Sequence, residues 1–382
     1  MINILWKAML VAIFVSAAIW WSGSTTSQAE KTATDPAPPP PAERLPLLGP
    51  DDFYSGLAWQ IHRSDNCVEQ TRRMLKEIAD LGADSVLISN AGYQEHAGSD
   101  SFQINPAVTP SPEEWREIIQ IAHDNGLRVI LMPIILLSNP RGSEWRGVIK
   151  PPNWDDWFEQ YRRFLRHFAE IAEANRVEVF MVGSELVSTE KYADRWREVI
   201  REIRRVYSGR LGYSANWDHY KVIDFWDDLD LVGMTSYYKL SNDPNPSLET
   251  LLKAWQPIQK GLLRWREKIG KPLLFTEVGW CSQEGASIEA WNYYHKQKAT
   301  KKGHEEQRRC YRAFMDTWAD VLWNDPPVVG GVIWWEWTDT PGGPDDYNYT
   351  PKNKPAELEL RDWFKRVRDT RRSSTTGTAG PR

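Results

Sequence analysis

Short, nearly continuous apolar runs alternate with longer amphipathic segments along most of this chain. The runs are "FYSGLAWQ" from Phe53, "ADSVLISN" from Ala83, "LRVILMPII" from Leu127, "VEVFMVGSE" from Val177, "LGYSAN" from Leu211, "LDLVGMTSYY" from Leu229, "KPLLFTEVGW" from Lys271 and "VVGGVIWWEW" from Val328. Such runs, too short for buried helices and rich in β-branched and aromatic residues, predict strands buried on both faces, and the stretches between them predict the covering helices. In "SPEEWREIIQIAHDNG", Ser111 is placed to cap a helix, Pro112 to occupy its first turn, Glu114 to close a capping box and Gly126 to end it. After Pro152, the residues Trp154, Trp157, Phe158, Tyr161, Phe164, Leu165, Phe168 and Ile171 recur at steps of three and four, which makes one core-facing stripe rather than a cofactor site.

Eight strand–crossover units predict an α/β fold, a (β/α)8 TIM barrel, with a single catalytic domain over residues 51–370. An open doubly wound sheet would favour a glycine-rich turn after the first strand, and "AWQIHRSDN" has no glycine.

Both ends of the chain depart from this pattern. Lys7 precedes an apolar run from Met9 to Trp21, and Ser27 and Ala29 are small residues at the spacing a signal peptidase reads, so residues 1–29 are expected to be a signal peptide or an N-terminal membrane anchor. Residues 30–50, with "PAPPPPAERLP", read as a proline-rich linker, and residues 371–382 as a disordered tail. The expected location is extracytoplasmic: secreted, periplasmic or tethered to the membrane. A net charge of −5 argues against nucleic acid as a partner. The three cysteines, Cys67, Cys281 and Cys310, are no disulfide framework; either Cys281 pairs with Cys310 or all three are free thiols. Oligomeric state is not legible.

In a barrel of this kind the reacting groups stand at the carboxyl ends of the strands. The fourth run ends in Glu185 and the seventh in Glu277, nearly opposite one another. Two carboxyls facing across one crevice suit glycoside cleavage, in which one donates a proton to the departing oxygen and the other attacks the sugar carbon or activates water. Asn90, ending the second strand, is a candidate for binding a sugar hydroxyl. The aromatic strand ends Trp59, Trp217, Trp280 and Trp337 are candidates for stacking on sugar rings, whereas Trp115, Trp196 and Trp318 fall in helices and read as core. Glu336 is a rival carboxylate without an unassigned partner on the opposite wall.

The motifs "VGSEL", "YSANWD", "FTEVGW" and "GVIWWEWTD" resemble the large clan of retaining (β/α)8 glycoside hydrolases, and within it glycoside hydrolase family 113, whose known activity is mainly endo-β-1,4-mannanase. The resemblance spans nearly the whole barrel. It implies Glu185 as acid/base, Glu277 as nucleophile, Tyr237 in preference to Tyr238 as the hydroxyl bonded to the nucleophile, and Trp335 as the platform beneath the reacting sugar. Much of the clan has Asn before the acid/base, where this chain has Ser184; Asn216 is then a candidate to supply the missing contact. The implied partner is an oligo- or polysaccharide, with no cofactor. Hydrolysis of another β-glycan (glucan or xylan) and a non-catalytic carbohydrate-binding barrel are the alternatives. A metal-dependent hydrolase fits poorly, because the seven His, among them His62, His123 and His167, show no paired ligand spacing.

Overall fold

The computed structural model describes Leu48, residues 52–322 and residues 327–377. Its strands are β1 (Tyr54–Ile61), β2 (Ser85–Gln94), β3 (Arg128–Leu137), β4 (Val179–Ser184), β5 (Arg210–Ala215), β6 (Leu231–Thr235), β7 (Leu273–Val278) and β8 (Val329–Trp334). Each pairs in parallel with its chain neighbours, and β8 pairs with β1 in the register Tyr54 to Gly331, so the sheet closes. The expected (β/α)8 barrel is what the chain forms. A two-residue strand, Phe102–Gln103, adds antiparallel to the end of β2.

Strand alternation sorts the side chains into two cores. Ala58, Leu87, Ile130, Met132, Met181, Leu274 and Ile333 fill the barrel interior. Their neighbours Leu57, Trp59, Val86, Val129, Leu131, Phe180 and Phe275 join the larger core between sheet and helices. Leu48 belongs to the interior cluster and lies against Gly330, so the fold begins before the expected end of the linker.

The helices are α1 (Cys67–Leu81), α2 (Pro112–Asp124), α3 (Trp154–Ala174), α4 (Ala193–Arg204), α5 (Leu248–Ile269), α6 (Lys301–Trp318) and α7 (Pro355–Gly377). Helix α2 has the expected capping box, Ser111 Oγ accepting from the Glu114 N–H while the Glu114 carboxylate accepts from Ser111 N. Helix α3 buries Trp157, Phe158, Tyr161, Phe164, Leu165, Phe168 and Ile171, as the stripe predicts.

One crossover differs from the expected pattern. Residues 216–230 join β5 to β6 through two 3-10 turns, Tyr220–Val222 and Trp226–Asp228, without an α-helix. Aromatic rings occupy the space a helix would fill: Tyr220 meets Trp265 of α5 at 4.6 Å between ring centroids, and Phe225 stacks on Trp196 of α4 at 5.2 Å. At the other end α7 runs to Gly377, so the first residues of the expected tail are helical. The predicted signal peptide or anchor, most of the linker and the last residues of the tail lie outside the described residues. Cys67, Cys281 and Cys310 are all buried free thiols, which excludes the bridge between the latter two in this structure.

Candidate active site

Glu277 reaches the crevice because its strand breaks register. Between β6 and β7, Met234 pairs with Phe275, but the next residue, Thr235, pairs with Glu277. The extra residue is a β-bulge at Thr276, and it reverses the facing of the strand beyond it. Without it Glu277 would share the outward parity of Leu273 and Phe275 in the helix-facing core. Strand β4 has the same device: Met181 pairs with Gly212 and Ser184 with Ser214, so three steps on one strand match two on the other. Gly183 sits in that irregularity, where a Cβ would lie 2.8 Å from the Tyr213 ring and 3.0 Å from both the Trp196 ring and the Tyr161 hydroxyl. Beyond it Glu185 adopts a left-handed backbone, φ 53°, a strained conformation for a side-chain-bearing residue, held by a bond from its N–H to Ser214 O at 2.8 Å.

Each carboxyl has its own partners. The Arg146 guanidinium, from the loop after β3, donates to Glu185 Oε2 at 2.7 Å and through Nε to Ser184 O at 3.1 Å. Thr235 Oγ1 donates to Glu185 Oε1 at 3.1 Å. On the facing side the Tyr237 hydroxyl donates to Glu277 Oε2 at 2.7 Å. Burial, and after it the charge of Glu185, push Glu277 up to about 7, while Arg146 and the Tyr237 bond pull against that shift. The two glutamates, 92 positions apart in the chain, therefore share one electrostatic site. Glu336, just past β8, is pushed up to about 8 by burial and by Glu277, and it has no hydrogen-bond or ion-pair partner among the described residues.

Behind Glu185 a buried relay fixes the turn. Leu186 N–H donates to the Tyr213 hydroxyl at 3.0 Å, that hydroxyl donates to Glu190 at 2.7 Å, and Glu190 holds the His219 ring at 2.5 Å. Burial raises the Glu190 carboxyl, against the pull of Tyr213 and His219.

The remaining expected residues divide. The Tyr237 hydroxyl is bonded to Glu277, and Tyr238 packs its ring against Trp217 and Trp255 instead. Asn216 joins the site: its Oδ1 is 3.5 Å from the Thr235 hydroxyl that bonds Glu185. Trp217 comes next, half-buried, its N–H on Thr235 Oγ1 at 3.1 Å. Trp335 is half-buried at the end of β8, its N–H bonded to Val278 O at 2.8 Å and its peptide to Glu336 cis.

Several expectations need correction. Trp59 is buried in the outer core with its indole N–H on Thr71 of α1, because its strand parity faces the helices. Trp280 is fully buried between Trp255 and Tyr311, and Trp337 is buried with its N–H on Glu77. Asn90 is buried too, spending its amide N–H groups on the Ile61 and Val108 carbonyls, so it ties loops together. The Ser184 hydroxyl is buried without a partner, which leaves it no open face toward a sugar. Arg146, Thr235 and Glu190 join the site without having been singled out by the sequence. Thr235 had a signal, as the last residue of its strand; Arg146 and Glu190, on loops, had none.

A closed barrel with two carboxyls coupled at the ends of β4 and β7, one bonded by a tyrosine and the other by an arginine, defines a glycoside hydrolase of the two-carboxylate class. Residues 56–357 match the model of Glycoside Hydrolase Family 113, and the chain belongs to that family. Among solved structures, a family 113 β-mannanase from Alicyclobacillus acidocaldarius in complex with ManMIm is 28% identical, with TM-score 0.72 over 84% of this chain and 98% of that one. A family 113 β-1,4-mannanase is 26% identical, with TM-score 0.72 over 82% and 99%. A family 5 mannosidase from Rhizomucor miehei, 11% identical at TM-score 0.54 over 84% and 94%, shares the fold alone. No curated protein sequence matches the chain.

Proposed function

We propose that the chain hydrolyses β-1,4-linked mannan within its length and with retention of configuration. In this reading the ionised Glu277 attacks the anomeric carbon while Glu185 gives its proton to the departing oxygen. Glu185 then takes a proton from water, whose oxygen attacks the same carbon and releases Glu277. The observation that carries the reading is the pair of bulges that turn both carboxyls into one crevice. Tyr237 supports the assignment of Glu277, because a donated O–H favours the charged form that a nucleophile needs. The similarity to family 113 mannanases supports the sugar.

Arg146 sets the resting proton distribution. It bonds the Glu185 carboxylate, while burial and the Glu185 charge hold Glu277 at about 7, so in the empty crevice Glu277 favours its protonated form more than an ordinary carboxyl does. Turnover needs the opposite arrangement. The positive charge growing on the anomeric carbon favours ionised Glu277, so the transition state itself moves the pair toward its reactive form.

Following the anomers released from mannooligosaccharides by NMR tests this directly. The β-anomer is expected first, and Glu277→Gln is expected to lose turnover by orders of magnitude. First release of the α-anomer, or unchanged turnover in the variant, overturns the assignment.

A further inference from the structure

The wall of the crevice continues outward from Glu277 as a series of aromatic rings. Tyr237, bonded to Glu277, lies 6.1 Å from Tyr349 between centroids; Tyr349 lies 6.3 Å from Tyr293, and Tyr293 lies 4.0 Å from Tyr294 at an interplanar angle of 40°. The series passes from inside to outside. Tyr237 and Tyr349 are each 7% exposed, Tyr293 43% and Tyr294 66%. Two adjoining phenol rings left open to water contribute little to the fold, and at the rim of a site they are free to take a ligand.

The segment that carries them, residues 279–300 between β7 and α6, is held firmly from beneath. The buried Gln283 side chain donates to Tyr293 O at 3.1 Å and accepts from Lys296 N at 2.8 Å and Gln297 N at 2.9 Å. Glu306 of α6, fully buried, accepts from Gly285 N at 2.8 Å, from Ser287 N at 2.9 Å and from the Ser287 hydroxyl at 2.6 Å. The Tyr349 hydroxyl donates to Ala290 O at 2.6 Å. So many bonds to one loop fix the backbone that carries the two rings before any ligand arrives, which lowers the entropy lost on binding. Arg146 locates the rings relative to the chemistry. Burial raises the Tyr293 phenol and the Tyr294 hydroxyl adds to that, but the Arg146 guanidinium, already bonded to Glu185, is near enough to pull it back.

We propose that Tyr293 and Tyr294 form a sugar-binding shelf, a subsite for units of the β-linked chain beyond the one being cleaved. The inference rests on the polysaccharide-hydrolase reading above and deepens it. An open phenol ring covers the C–H face of a pyranose, and its hydroxyl at the edge bonds the sugar hydroxyls. Because Tyr293 packs on Tyr349, and Tyr349 on the Tyr237 that bonds Glu277, the shelf lies on the Glu277 side of the site, where a long chain reaches it and a short oligosaccharide ends before it.

The test compares kcat/KM for β-1,4-mannooligosaccharides from the trisaccharide to the hexasaccharide in the wild type, Tyr294→Ala and Tyr294→Phe. Tyr294→Ala is expected to lower kcat/KM for the hexasaccharide by roughly three- to tenfold relative to the trisaccharide, mainly through KM. Tyr294→Phe, which keeps the ring, is expected to restore most of the length dependence. Equal losses at every length, or no loss at any, overturn the shelf. A wild type that cuts none of the series overturns the mannan reading instead, so the two failures are distinct.

Discussion

Replacing Tyr237 with phenylalanine removes one oxygen and tests how the carboxyl pair shares its proton. The phenol donates to Glu277 Oε2 at 2.7 Å in a buried setting, and the ring is otherwise held by Tyr349, which phenylalanine preserves. Hydrogen bonds to charged groups contribute about 1.5–3 kcal/mol, and 1.36 kcal/mol corresponds to one pKa unit, so losing this bond raises Glu277 by about one to two units. The sign comes from the bond itself: the O–H stabilises the carboxylate, so its loss favours the protonated acid.

The pair titrates as a unit, and the proton lost last is the one on Glu277, at about 7 in the wild type. In Tyr237→Phe the alkaline limb of the kcat/KM profile is therefore expected to move up to about 8–9. The reactive form, with charge on Glu277 and the proton on Glu185, becomes rarer by the same factor, so the top of the profile is expected to fall about 10- to 100-fold. The measurement is kcat/KM against pH from 4 to 10 on a mannooligosaccharide at concentrations well below KM. A profile that drops in height with its alkaline limb unmoved refutes the proton-sharing argument and leaves Tyr237 only a steric role.

Two further changes probe the same site through stability. Folding holds Glu277 above its unfolded value, so ionising it costs stability that is fully present below pH 4.5 and lost as pH rises toward 7. A shift from 4.5 to about 7 corresponds to on the order of 3 kcal/mol, so Glu277→Gln is expected to be more stable than the wild type by about that much at pH 8 and equal to it near pH 4, measured by urea unfolding. Arg146→Met leaves the Glu185 carboxylate buried without its partner, and is expected to cost about 3 kcal/mol at pH 8 by urea unfolding; no loss of stability contradicts the ion-pair account.

How much of this protein is legible in its sequence depends on how locally each feature is encoded. The capping box at Ser111 and the apolar runs depend on neighbours in the chain, so they can be read, and with them the strand ends that hold Glu185 and Glu277. Facing is less local. Trp59, near the end of β1, and Trp280, just past β7, lie in the outer core, while Trp335, just past β8, is half-buried, and the apolar runs alone do not tell them apart. The bulge at Thr276 is invisible in "LLFTEV", where simple alternation sends Glu277 outward with Phe275. Loop residues are the least legible: Arg146, Tyr293 and Tyr294 gain meaning only when the barrel brings the loops after β3 and β7 to one rim.

The crevice must also solve a charge problem that its individual residues do not reveal. Glu185, Glu277 and Glu336 crowd one rim, and among the described residues Arg146 is the cation bonded to any of them. Three carboxylates against one guanidinium would leave a large uncompensated negative charge in a poorly hydrated space, at a cost that rises steeply with burial. The shifts to about 7 for Glu277 and about 8 for Glu336 relieve it, since near neutral pH both take up protons and the charge that remains is largely the Arg146–Glu185 pair. A crevice close to neutral suits an uncharged sugar chain, and a protonated Glu336 can both donate and accept a hydrogen bond, as sugar hydroxyls do. When Glu277 ionises in the reactive form, Glu336 stays neutral beside it. The new negative charge then acts mainly on the carbon that is becoming positive, rather than against a second carboxylate.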